Sequence, residues 1–86
     1  RGVDFSRLAH LLGKLIDEAP AGVTKIYLDD VYRREVIRVT PQLVRDRWLK
    51  EPALAALSED GVLVASPWHT DHVHVRFGGE KARALF

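Results

Sequence analysis

The stretch Trp68-His69-Thr70-Asp71-His72-Val73-His74-Val75-Arg76-Phe77 decides how this chain folds. From Asp71 onward polar and apolar residues alternate, and a period of two marks a half-buried strand. Successive side chains on a strand point to opposite faces. His72, His74 and Arg76 therefore share one face, and Val73, Val75 and Phe77 share the other. The valine side goes to the core. The opposite side carries two imidazoles and a guanidinium, with residues two apart spaced ~7 Å along the strand.

Working outward, Ser66-Pro67 reads as a turn and Val62-Leu63-Val64-Ala65 as a short buried strand. Thr24-Lys25-Ile26-Tyr27-Leu28 alternates and is rich in β-branched and aromatic residues, so it reads as a further strand. The chain opens with a helix. Asp4 or Ser6 can cap it, and Phe5, Leu8, Leu12, Leu15, Ile16 and Ala19 make one apolar stripe. Asp17 and Glu18 lie against its C-terminal dipole, and Pro20 and Gly22 end it. Asp29 and Asp30 cap a short helix over Val31 to Arg38. Thr40-Pro41 reads as a second helix start, with Leu43, Val44, Trp48 and Leu49 on the buried side. Leu54 and Leu57 continue beyond Pro52 in another turn or helix that stops at Gly61. The tail from Gly78 carries no clear pattern. The order predicts an α+β fold: a small antiparallel sheet of three strands with helices packed on one face. Residues 1–86 form a single domain in this reading.

Composition limits the function. The chain has 86 residues, enough for one small domain. It has no cysteine, so any metal site must be built from its four histidines and its carboxylates. Thirteen Lys and Arg against twelve Asp and Glu leave a net charge of +1, which argues against a nucleic-acid partner held on a basic stripe. With 47% hydrophobic and 29% charged residues the chain is globular in composition. No apolar run approaches the ~18 residues of a membrane span, and no signal peptide is visible at Arg1-Gly2-Val3-Asp4. The absence of methionine gives the expectation that the chain is a piece of something longer.

The histidine stretch carries the chemistry. Neutral imidazole is the commonest transition-metal ligand and suits zinc. His72 and His74 can reach one small site, Asp71 can add a carboxylate from the strand's entry, and His69 can reach in from the preceding loop. A lone exposed histidine is usually only solvated; His-Val-His flanked by Asp and a further His is a different pattern. Two phosphoryl-chemistry families fit poorly. Histidine-triad nucleotide hydrolases need a third histidine where Arg76 stands, and two-histidine phosphoesterases need two His-x-Thr/Ser motifs.

The run Pro67-Trp68-His69-x-x-His72-x-His74-Val75-Arg76 resembles the C-terminal part of the penicillin-insensitive murein endopeptidases. These are zinc peptidases of the lysostaphin and D-Ala-D-Ala peptidase group. Val23 to Leu28 and Asp46-Arg47-Trp48-Leu49 add a looser likeness in the same order, over roughly residues 5 to 77. The resemblance implies that this chain is the C-terminal half of a zinc peptidase domain. His74 is then a zinc ligand. His72 is the catalytic histidine that stabilises the tetrahedral oxyanion or polarises the attacking water. His69 is a further active-site histidine, and Asp71 is a candidate general base by likeness to the D-Ala-D-Ala branch. Trp68 and Arg76 are candidates for substrate contact. The implied reaction is zinc-dependent hydrolysis of a D-Ala-containing peptide cross-link in peptidoglycan, in the periplasm. The family also needs a His and an Asp from an upstream His-x6-Asp, to be supplied by an upstream segment or a second chain. His10 and Asp17 have that spacing, but on a helix they stand ~10 Å apart along the axis, too far to share one zinc. The competing class is a non-catalytic binding or assembly module that retains the histidine face.

Overall fold

The structure is a computed structural model that describes residues 3–18, 22–67, 73–78 and 82–84. Helix α1 spans Phe5–Glu18, strand β1 Val23–Leu28, helix α2 Asp30–Arg45 and helix α3 Glu51–Ala56. Strands β2 Leu63–Ala65, β3 His74–Phe77 and β4 Ala82–Ala84 follow.

Local chemistry explains most boundaries. Asp4 starts α1: its Oδ1 accepts the Arg7 N–H at 3.0 Å and its carbonyl accepts the Leu8 N–H. Asp29 caps α2 by accepting the Val31 N–H on Oδ2 at 3.0 Å. The expected break at Thr40-Pro41 does not occur, and α2 runs through Pro41. Thr40 is fully buried, and its hydroxyl donates to the Val36 carbonyl one turn back at 2.7 Å instead of capping a new helix. Val36, Ile37, Val39 and Leu43 keep one apolar stripe on both sides of the proline, so packing outweighs the local break. The end of α2 is a Schellman motif. The Arg47 N–H bonds the Val44 carbonyl at 3.0 Å and the Trp48 N–H bonds the Leu43 carbonyl at 2.9 Å. The left-handed position is filled by Arg47 at φ 66°, where glycine is usual.

The α+β class holds. The sheet is mixed, which corrects the expected antiparallel arrangement, and a fourth strand joins the three read from sequence, in the order β2-β1-β3-β4. β1 pairs parallel with β2 and antiparallel with β3, and β3 pairs antiparallel with β4. The reason lies in the connection: α2 and α3 carry the chain from β1 to β2, and a crossover of that length returns a strand parallel to its neighbour. The fourth strand comes from the tail, where three residues are too few to show a period.

Ile26 and Leu28 of β1, Leu63 of β2 and Val75 of β3 are buried against Ala9 and Leu12 of α1, Val36 of α2 and Leu57. The helices therefore cover one face of the sheet. Trp48, expected on the buried side with Leu49, is 61% exposed while Leu49 is buried. Arg33 ties α2 to the entry of β2: its Nε donates to the Leu63 carbonyl and its Nη2 to the Glu59 carbonyl, each at 3.0 Å.

Two substitutions test this fold by urea denaturation. Arg47→Gly relieves the left-handed arginine and should raise stability by about 0.5–1 kcal/mol. Gly61→Ala drives a Cβ into the Ala56 carbonyl oxygen, which already accepts the Val62 N–H. That change should lower stability by about 2 kcal/mol or more.

Candidate functional site

β3 is an interior strand, hydrogen-bonded on both sides. Its alternation is the expected one: Val73 and Val75 are buried, His74 is half-buried and Arg76 is exposed. Register then fixes what lies beside them. Tyr27 of β1 stands opposite His74, and Lys25 stands opposite Arg76, while Ile26 pairs with Val75 in the core. Residues directly opposite across a ladder project to the same face. The helix-free face therefore presents a row of Tyr27 and His74 and, next to it, a row of Lys25 and Arg76.

The register between β1 and β3 shifts between Val23 and Lys25, so Thr24 is an extra residue on β1, a β-bulge. The Thr24 hydroxyl donates to the Arg76 carbonyl at 3.1 Å and pins the bulge to β3. Bulges re-aim side chains and are frequent beside sites. Tyr27 and Lys25 were not singled out from sequence. The signal was present: β1 alternates as β3 does, with Ile26 and Leu28 apolar and Lys25 and Tyr27 between them. Only the register says which of them meet His74 and Arg76.

His74 and Arg76 are thus placed together on the open face. His72, His69, Asp71 and Trp68 lie outside the described residues. Among the described residues no three His, Asp or Glu side chains gather as a metal-binding group.

His10 and Asp17 belong to a different part of the molecule. They lie on α1, which covers the opposite face of the sheet. The His10 ring meets the Trp48 ring edge-on, with centroids 5.9 Å apart. Asp17 Oδ2 accepts the Lys50 N–H at 2.9 Å. Both residues dock α1 onto the segment that follows α2, and neither is aimed at the face carrying His74. A shallow cleft of about 280 Å³ on this side is lined by Asp4, Ser6, Arg7, His10, Leu43 and Trp48. The Glu35 carboxyl, held below its ordinary range by a hydrogen bond from Arg38, is likewise on α2 and away from the open face.

Comparison with family models, curated proteins and solved structures finds no match for this chain.

The structural role of Asp17 is separable from a ligand role. Asp17→Ala leaves the Lys50 N–H without its acceptor and should cost about 1–2 kcal/mol in urea denaturation. Metal affinity of the protein, measured by calorimetry, should not change.

Proposed function

We propose that this chain supplies the His-x-His strand of a zinc-dependent murein endopeptidase, a hydrolase of D-Ala-containing peptide cross-links in bacterial peptidoglycan acting in the periplasm. The observation that carries the reading is the placement of His74: it stands on an interior strand, on the face the helices leave uncovered, with Arg76 beside it. A peptide can lie along such a face, whereas a histidine on the helix side would be walled off by the core. The motif His69-x-x-His72-x-His74-Val75-Arg76 supports the same reading through its likeness to these peptidases.

A catalytic zinc takes three protein ligands and keeps one position open. His74 provides one donor in this proposal. The others come from outside the described residues, with a His and an Asp from an upstream segment or a second chain. His10 and Asp17, which lie on the other side of the sheet, are not given that role in this proposal. The near-neutral charge agrees with a peptide substrate better than with a polyanion.

The test is made on the full-length protein with purified muropeptide dimers. Zinc-dependent release of monomers is expected, and His74→Ala should reduce turnover at least ~10²-fold while zinc affinity falls by a similar or larger factor. Retained zinc affinity and retained turnover in that variant would refute the ligand role. A protein that binds muropeptides but neither binds zinc nor cleaves them is the non-catalytic module.

A further inference from the structure

We propose that Lys25 and Arg76 together form a carboxylate-binding clamp on the helix-free face, one that holds a carboxylate of the peptide substrate beside His74. The identity of the ligand as a peptide rests on the peptidase reading; the clamp itself rests on the register. Lys25 and Arg76 are direct partners across β1 and β3, and both are exposed. Like charges placed opposite one another repel and destabilise a ladder. Among the described residues no carboxylate pairs with either side chain, so nothing there offsets the repulsion between them. The pair is therefore a cost to the fold that an anionic ligand would relieve.

The second observation is the bulge. Thr24 is inserted into β1 immediately before Lys25, and its hydroxyl is bound to the carbonyl of Arg76 itself. The irregularity thus falls at the cationic pair and fixes the two backbones there relative to each other. A planar guanidinium offers a carboxylate two parallel N–H donors, and an ammonium adds a point charge on a flexible stem.

Distance sets what the clamp can read. The Lys25 and Arg76 row lies ~7 Å along the strands from the Tyr27 and His74 row. That is about two residues of extended peptide. A carboxylate within two residues of the peptide segment lying at His74 would reach the clamp, and an amidated or more distant terminus would not.

The test is an NMR titration of the isotopically labelled protein with acetyl-D-alanyl-D-alanine and, separately, with its C-terminal amide. The free acid should shift the amide signals of Lys25 and Arg76 and bind at least about threefold more tightly than the amide, an advantage that falls with added salt. Lys25→Gln and Arg76→Gln should each remove that preference. Equal binding of acid and amide, no binding of either, or an unchanged preference in both variants would overturn the clamp. Stability provides a second readout. Lys25→Gln should melt at the same temperature as the parent protein or higher, because it removes a repulsion. A lower melting temperature would show that the ammonium serves the fold and would also overturn the assignment. Cleavage is not read in this titration. Acid preference without zinc-dependent cleavage sinks the peptidase reading alone, and cleavage with no acid preference sinks the clamp alone.

Discussion

Everything on the open face depends on the pairing of Ile26 with Val75 inside the core. Each side chain buried there contributes ~1.5–3 kcal/mol relative to exposure. Because the strand period is two, this one pairing decides the orientation of every neighbour. A slip of β3 by one residue against β1 would turn His74 and Arg76 toward Leu12 and Val36, and burying unpaired charge costs several kcal/mol per ion. The hydrophobic core and the polar face are thus two consequences of one register. The helices matter to the site chiefly because they cover the other side.

The crossover formed by α2 and α3 has a functional consequence as well. By returning β2 to the outer side of β1, it leaves β1 and β3 as the two interior strands. The histidine-bearing strand then has a hydrogen-bonded neighbour on each side and cannot fray as an edge does. Arg33 fastens this arrangement by bonding the Glu59 and Leu63 carbonyls. Asp17 and His10 fasten α1 to the segment after α2. Rigid support on one face and polar side chains on the other is the layout a binding surface needs.

Much of this was legible in the sequence because the strongest signals were periodic. The alternations in β1 and β3 and the apolar stripe of α1 report burial directly, and Asp4 and Asp29 report helix starts. The misreadings share a cause: a local signal was outweighed by a contact distant in sequence. Thr40-Pro41 looks like a helix start, yet Thr40 is sealed in the core and α2 continues. Trp48 has the size of a core residue, but the turn at Arg47 places it outside while Leu49 turns in. The parallel pairing of β1 with β2 and the strand β4 are non-local facts that no short window contains. Of the site, the sides taken by His74 and Arg76 were readable from alternation. The juxtaposition with Tyr27 and Lys25 was not, since cross-strand partners follow from register and from the bulge at Thr24.

The central claim is that metal and substrate chemistry belong to the sheet face of His74 and not to the helix face of His10. Paramagnetic cobalt in place of zinc, followed through the amide signals of the labelled full-length protein, tests it directly. The account predicts that cobalt broadens the signals of Tyr27, His74 and Arg76 first and leaves His10 and Asp17 sharp. Broadening centred on α1, or no broadening in β1 and β3 at saturating cobalt, would contradict it.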